Sequence, residues 1–557
     1  MTASRLTVAQ ALVRAMAAQW TEVDGERRRV FAGVWAIFGH GNVAALGEAL
    51  YAARDVLPTL RAHNEQAMGH AAVAFAKASY RRRMMACTTS IGPGATNLAT
   101  AAAVAHVNRL PVLLLPGDVF ATRGPDPVLQ QLEDFSDGLL TANDCLRPLS
   151  RYFDRITRAE QLVVAFNRAM QSRQPLIVCG GGVLYSEAGA ALREFCERHG
   201  IPSGETQAGK SALPASHPLN LGGIGVTGTA AANALAADAD VVLAVGTRLQ
   251  DFTTGSATLF RSKGCRILAL NVQPLDTCKH GAVPLIADAR EGLRQLSEAL
   301  GGWRAADAWT QRAHAERSSW RATAESFTAA GDQPLPSDAQ VIGAVQRAAQ
   351  ASDILVGAAG GLPGELHKHW QAEQPAGYHL EYGFSCMGYE IAGALGVKLA
   401  HPRREVIVMV GDGSYLMLNS EIATSVRMGL KLIIVLLDNG GFGCIERLQG
   451  STGNASFNNM RASSYAAPDG LDFVAHARSL GALASKVTGI AQLAGSLAAA
   501  RKSDRTSVLV IDTDPARSTA AGGHWWDVAV PEVSDRAEVR AARERYTLAR
   551  QLRTDDD

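Results

Sequence analysis

The chain has almost no net charge, no long apolar run and no paired-cysteine motif, and each absence removes a class of function. Its 54 Lys and Arg residues face 53 Asp and Glu, for a formal charge of +1. Without a basic excess there is no electrostatic footprint for nucleic acid, and no nucleic-acid partner is expected. No stretch approaches the roughly 20 apolar residues of a membrane span, so no membrane association is expected. The eight cysteines include no Cys-x-x-Cys pair or other metal-ligand spacing, and Cys87, Cys179 and Cys386 stand in apolar or glycine-rich surroundings. They read as reduced thiols of a cytoplasmic protein, none of them placed as a nucleophile. Short repeats and low-complexity tracts are missing as well. Near the start, Thr7 and Gln10 lead an alanine-rich stretch with Arg14 inside it, the pattern of a capping box and helix rather than a signal peptide. What is present is a chain of 557 residues, long enough for about three domains.

One stretch carries chemistry. Glu405–Val410 is a β-branched apolar run, Leu416–Met428 has helical spacing, and Lys431–Leu437 is a second buried strand. They make a βαβ unit, whose parallel strands end on one edge of a sheet. Asp412 and Asn439, 27 positions apart, therefore meet at the edge where such folds bind ligands. Gly411 and Gly413 let the backbone approach an anion, and the helix start adds free N–H groups. A carboxylate, a side-chain amide and a carbonyl such as that of Gly441 are hard oxygen ligands, suited to Mg²⁺ shared with phosphate oxygens. The plainer reading is a tight βα turn; the matched strand-end Asn weighs against it.

With those residues in view, the chain resembles the thiamine diphosphate enzymes of the acetohydroxyacid synthase and pyruvate oxidase type. Their signature runs from Gly-Asp-Gly to Asn with a spacer of this length, here Gly411 to Asn439. The family usually ends the motif in two asparagines, where this chain has Asp438 and Asn439. The resemblance implies thiamine diphosphate and Mg²⁺, with the metal on Asp412, Asn439 and the Gly441 carbonyl, and the diphosphate near Gly413 and Ser414. Glu65 stands in a segment similar to the family stretch whose Glu hydrogen-bonds the cofactor's pyrimidine ring; Asn64 replaces the usual His before it. Thr88–Asp118 resembles the core of the pyrimidine-binding domain, with Gly92 in a strand-to-helix turn. Tyr382–Gly388 aligns with the segment whose Met props the cofactor in its bent shape, which implies Met387 and Gly388. Gly360, Gly361 and Leu362 resemble the loop that holds the diphosphate from the other side.

The same resemblance implies an α/β fold of three doubly wound parallel-sheet domains: pyrimidine-binding over 1–172, central Rossmann-like over 173–333, and diphosphate-binding with a C-terminal tail over 334–557. Strands are expected near Leu176–Cys179, Val241–Val245, Arg266–Leu270 and Ile354–Val356, and Ser337–Gln340 reads as the cap of the last domain's first helix. Gly180-Gly181-Gly182 lacks the full dinucleotide fingerprint and reads as a βα turn. After a helix that includes Val163–Met170, Gln171–Gln174 passes straight into Pro175–Val178, where the family has a further strand and a linker. Either the first domain closes differently or a segment of the chain is left out; a lost sheet strand would bare an edge, which favours the second.

Ile37–Asn42, Phe120–Gln131, His379–Gly383 and His524–Trp526 are similar to the hydrolases of this family that open a polyhydroxylated cyclic 1,2-diketone. That implies carbon–carbon bond hydrolysis of a small cyclic dione. A carboligase or 2-oxoacid decarboxylase of the acetohydroxyacid synthase type is the alternative, and a catalytically silent relative is a third, against which Glu65, Asp412 and Asn439 together argue. His40 is the expected group near the reacting carbon, Gln130 and Gln131 are expected substrate contacts, Arg123 a partner for a developing carboxylate, and His524–Trp526 a cover over the site. Packing or solvated roles are the plainer reading of each. Glu446 and Arg447 read as surface residues or an ion pair. Because the pyrimidine and diphosphate motifs lie in different domains, the family builds each site between two subunits, and a homodimer or homotetramer is expected.

Overall fold

Alternating apolar residues explain why the last part of the chain is a sheet covered on both faces. In the strand Val406–Gly411, Val406, Val408 and Val410 enter one core while Ile407 and Met409 enter the other. The strand Ile433–Asp438 divides the same way, Ile434 and Leu436 against Ile433, Val435 and Leu437. Buried on both sides, such strands read as continuous apolar runs. In the computed structural model the described residues are 6–23, 25–40, 42–118, 130, 141–150, 177–260, 265–464 and 470–551.

Three parallel sheets organise these residues. The last has six strands in the order Tyr378–Leu380, Ile354–Gly357, Val406–Gly411, Ile433–Asp438, Ser507–Asp512, Leu483–Val487. The chain steps to one side of Ile354–Gly357 and then returns to the other, so the crevice between Gly357 and Gly411 is a topological switch point, where open α/β sheets bind ligands. Gly411 pairs with Leu437, which sets Asp412 beside Asp438 and Asn439 at one edge, as expected. The central sheet also has six strands, ordered Val283–Leu285, Arg266–Leu270, Val241–Val245, Ile177–Cys179, Ser203–Glu205, Asn220–Gly223. The first has four described strands, Thr59–Leu60, Phe31–Ala36, Met84–Thr88 and Leu113–Leu114, with its switch point between the middle two. A small antiparallel hairpin, Trp20–Val23 with Glu26–Arg29, stands apart.

The first and last sheets share a core through two helices. Glu65–Ala78 is alanine-rich and buried along nearly its whole length, so it lies between neighbours rather than on a surface. It packs on Tyr389–Ala400, where a Cβ on Gly396 would stand 2.0 Å from the Ala71 carbonyl oxygen. The glycine is what lets the two helices close to contact. Capping boxes at Thr7 with Gln10 and at Ser337 with Gln340 are formed as the spacing predicts.

Two expectations need correction or limits. The stretch Leu416–Met428 is not one helix: Asp412–Met417 and Glu421–Arg427 are separate. Leu418 leaves helical geometry at φ −153°, and Asn419 and Ser420 follow, residues whose side chains compete for backbone partners and favour a restart. The helix expected around Val163–Met170, the junction at Gln171–Gln174, Arg123 and Gln131 lie outside the described residues. Among the described residues no helix is long and apolar enough to cross a membrane.

Candidate active site

The loops at the first sheet's switch point hold one set of expected residues. Asn42, buried, donates its amide to Thr88 Oγ1 at 2.9 Å and to the Thr89 carbonyl at 2.8 Å, while its Oδ1 accepts from Gly39 N at 3.0 Å. This ties the His40 loop to the end of Met84–Thr88, and His40 itself stays exposed. Gln130 is brought against the Gly92 turn: a Cβ on Gly92 would lie 1.9 Å from the Gln130 carbonyl oxygen, and Ser90 Oγ donates to Gln130 Oε1 at 3.4 Å. Glu65 begins its helix behind the same turn. Its Oε2 accepts from Asn97 Nδ2 at 2.8 Å, and a Cβ on Gly94 would lie 3.4 Å from its Oε1. Asn64 caps the helix by accepting from Ala67 N, a role any short polar side chain fills.

The last sheet's switch point holds the other set. Asp412 is fully buried, and its Oδ1 accepts from Asn439 N at 3.3 Å. The Asn439 side chain turns one end to both Asp412 Oδ1, at 3.2 Å, and the Gly441 carbonyl, at 2.8 Å. In the bare chain the amide nitrogen belongs there; turned over, its oxygen completes three hard oxygens about one point. Oxygens adjacent on Mg²⁺ at about 2.1 Å stand about 3 Å apart, which matches the spacing of the Asn439 side-chain end from Asp412 Oδ1 and from the Gly441 carbonyl. The donor set fits the metal. Among the described residues no group of three or more His, Cys, Asp and Glu could hold a metal, so a metal at this edge would rest on an amide and a carbonyl beside one carboxylate.

Ser414 links this edge to the Met387 segment. Gly388 N donates to Ser414 Oγ at 2.8 Å, and Ser414 Oγ donates to Glu390 Oε2 at 2.7 Å. Gly388, at φ +85°, starts Tyr389–Ala400 and leaves Met387 half-buried above it. Gly413 lies against Phe442, whose ring a Cβ would meet at 2.7 Å. Gly361 and Leu362 open the helix Leu362–His369 across the crevice. Glu446 and Arg447 do not pair with each other in the contacts described: Glu446 accepts from Asn459, and Arg447 donates to the Pro515 carbonyl.

Burial dominates the electrostatics. It raises the Glu390 carboxyl to about 7 and lowers the His70 imidazole to about 3. It pushes the Cys386 thiol up to about 12, in keeping with a thiol that is no nucleophile.

The C-terminal tail folds back over the junction of the central and last sheets. His524 N donates to the Val226 carbonyl at 3.1 Å, and Trp526 meets Phe252 edge-on at 5.0 Å, which in turn meets Tyr382 at 5.3 Å. These rings line a cavity of 2250 Å³ that also touches Gly361, Ser385 and Arg447, yet reaches neither Glu65 nor Asp412. The Gly180-Gly181-Gly182 turn borders it too, and its glycines are spent on backbone contact: a Cβ on Gly182 would lie 2.6 Å from Gly246 Cα.

Asn42, Asn97 and Arg461, the last of which meets Asp412 and Asp438, carry roles that sequence reasoning did not assign. Asn42 and Asn97 lie inside segments that bear the family resemblance. Arg461 gives no local signal.

Known proteins match along most of the chain. Thiamine pyrophosphate enzyme models match as the N-terminal TPP binding domain over residues 32–137, the central domain over 164–296 and the C-terminal TPP binding domain over 358–511. Proteins named 3D-(3,5/4)-trihydroxycyclohexane-1,2-dione hydrolase from Bacillus cereus (strain AH820), Bacillus anthracis (strain A0248) and Bacillus thuringiensis (strain Al Hakam) are each 40% identical. Each comparison covers 97% of this chain and 98% of the relative. The alignments span 630 positions against 557 residues, so the relatives carry residues with no counterpart here. By three successive domain matches and by full-length relatives, the chain belongs to the thiamine pyrophosphate enzymes.

Proposed function

We propose that the protein hydrolyses a carbon–carbon bond of 3D-(3,5/4)-trihydroxycyclohexane-1,2-dione, opening the ring to 5-deoxyglucuronic acid in inositol catabolism. The observation that carries this reading is the 40% identity, over 97% of the chain, to hydrolases of that name. The bond between the two carbonyl carbons breaks; water gives hydroxyl to one, which becomes the carboxylic acid, and hydrogen to the other, which becomes the aldehyde. All six carbons stay in one open chain.

Bound thiamine diphosphate supplies a nucleophilic carbon and a sink for the electron pair of the broken bond. The chain's residues do the rest. Asp412, Asn439 and the Gly441 carbonyl would hold Mg²⁺, and Gly413, Ser414 and the Gly361–Leu362 turn would face the diphosphate. Met387 would stand under the cofactor and Gly92 beside its pyrimidine ring. The Glu65 carboxylate, one oxygen of which accepts from Asn97, is the group placed to take and return a proton. His40 stands on a loop tied to the end of Met84–Thr88 and Gln130 lies against the Gly92 turn, which suits contact with the substrate; the same role is proposed for Gln131.

We further propose a homodimer or homotetramer with its sites shared between subunits. Large apolar side chains stand exposed around both half-sites: Phe38 and Val43 near His40, and Phe384, Leu416, Met417, Phe442 and Ile445 around the Asp412 edge. Such a patch suits burial against another copy. The eight free cysteines suit a reducing cytoplasm.

The deciding experiment incubates the protein with thiamine diphosphate, Mg²⁺ and the trihydroxylated dione, beside cyclohexane-1,2-dione and pyruvate, and identifies products by mass. The expected product is the dione plus one water. Carbon dioxide from pyruvate, with the dione untouched, would instead make the protein a decarboxylase or carboligase. A fully active monomer in light scattering would refute the shared site.

A further inference from the structure

The segment His379–Gly383 carries a buried carboxylate that the proposed chemistry does not use. Glu381 follows the strand Tyr378–Leu380 and is 2% exposed. Its Oε1 accepts from Asn108 Nδ2 and from Phe384 N, both at 2.9 Å, and its Oε2 accepts from Cys386 N at 2.8 Å. Asn108 ends the helix Ala99–Asn108, and a Cβ on Gly383 would stand 2.2 Å from its Oδ1. The missing side chain is what lets the loop pass so close.

The two backbone bonds flank Ser385, which stands at φ +56°. A residue other than glycine keeps that left-handed conformation only where its surroundings over-determine it. Phe384 and Ser385 are exposed while Cys386 is buried, and Cys386 Sγ donates to the Met387 carbonyl at 3.3 Å. Met387 is thus bracketed by two tied amides: Cys386 N on Glu381, and Gly388 N on Ser414 Oγ at 2.8 Å.

We infer that Glu381 is a positioning residue that fixes the turn Gly383–Cys386 and, through it, the place of Met387 under the cofactor. The inference rests on the reading that Met387 stands beneath thiamine diphosphate. Glu381 is buried among donors of the protein itself, so it acts through Met387 and not on the substrate. The position requires a carboxylate because of the number of acceptors. Each of its oxygens takes a backbone N–H, so an amide of the same shape loses one of those bonds whichever way it turns, and leaves two buried donors facing each other. The stretch that resembles the cyclic-dione hydrolases therefore shapes the cofactor's seat.

The test compares wild type, Glu381→Gln and Asn108→Ala as full chains. Without cofactor, hydrogen exchange read by mass spectrometry should show the amides of 382–388 opening at least about tenfold faster in Glu381→Gln. Asn108→Ala keeps both backbone bonds and should show a smaller rise. With thiamine diphosphate and Mg²⁺ bound, exchange of the cofactor's C2 proton for deuterium, read by NMR after acid quench, should slow by about ten- to a hundredfold in Glu381→Gln. The value of kcat should fall with it, while KM for the dione stays within about twofold. Should Glu381→Gln fail to fold, Asn108→Ala carries the test, with the same signs at smaller size. Opening unchanged in the folded variants, or faster opening with C2 exchange unchanged, overturns the positioning role. A raised KM at constant kcat also overturns it, and would make the segment a substrate contact. Wild type that holds the cofactor and exchanges C2 but leaves the dione untouched overturns the proposed reaction alone, and the two exchange measurements still decide this inference. Wild type that binds no thiamine diphosphate overturns both.

Discussion

Asn97 donates its side-chain amide to Glu65 Oε2 at 2.8 Å, joining the start of one buried helix to the turn that follows the Gly92 loop. The bond leaves Oε1 facing the Gly94 backbone side and restricts the carboxylate to one orientation. A proton-transfer group gains from being held so, because misplacement is costly in rate.

Glu65→Gln should keep most of the binding of thiamine diphosphate and lose turnover, while Asn97→Ala should retain part of it. A hydrogen bond to a charged group contributes ~1.5–3 kcal/mol, so Asn97→Ala should lower kcat by about ten- to a hundredfold. Calorimetric titration beside steady-state kinetics separates the two effects. Undiminished turnover in Glu65→Gln would remove that residue from the mechanism.

Chelation should release the cofactor. On the proposal that Asp412, Asn439 and Gly441 hold Mg²⁺, they would supply three oxygens, and the diphosphate and solvent would complete the metal's shell. Treatment with EDTA followed by gel filtration should strip thiamine diphosphate from the protein, and Mg²⁺ with fresh cofactor should restore it. Asp412→Ala should not be restored at any practical Mg²⁺ concentration, as read from cofactor absorbance in the protein peak.

Stability should fall as pH rises through neutrality, and Glu390 should account for part of the fall. Burial raises its carboxyl from 4.5 to about 7. Below 4.5 the folded and unfolded chains both hold the proton; between 4.5 and about 7 only the folded chain does, so stability is lost across that window as pH rises. Glu390→Gln keeps an acceptor for Ser414 and should flatten this slope in urea titrations between pH 5 and 8. A slope unchanged by the substitution would place the cause elsewhere. His70, lowered by burial from 6.5 to about 3, acts oppositely: its contribution is present above 6.5 and lost as pH falls.

Trp526→Ala should raise KM for the dione by about two- to tenfold at nearly constant kcat, since an aromatic pair contributes ~0.5–1.5 kcal/mol. Its edge-on contact with Phe252, which in turn meets Tyr382, places it over the central junction, and a purely structural ring would lower the unfolding temperature without moving KM.

How much of this was legible depended on whether the signal was local. The strands Val241–Val245 and Arg266–Leu270 lie where β-branched runs put them, and the caps at Thr7 and Ser337 follow from side chains three residues apart. The break at Leu418 was missed because helical spacing continues through Asn419 and Ser420 while their backbone preferences do not. Glu446 and Arg447 were adjacent in sequence yet found separate partners, since tertiary neighbours offered better geometry to each.

By itself the sequence determined the parallel sheets, the Asp412 to Asn439 edge and Glu65 at a helix start, because alternation, glycine turns and capping act over a few residues. It also carried, by resemblance, the cofactor those residues serve. Only the tertiary structure decided that Asn97 would hold Glu65, that Asn42 would pin the His40 loop, and that Arg461 would stand between Asp412 and Asp438. Those contacts join residues 32, 46 and 49 positions apart. Nothing in local propensity brings such pairs together; they meet because the sheets and helices that carry them pack, and a buried charge or amide then takes the partner that packing supplies.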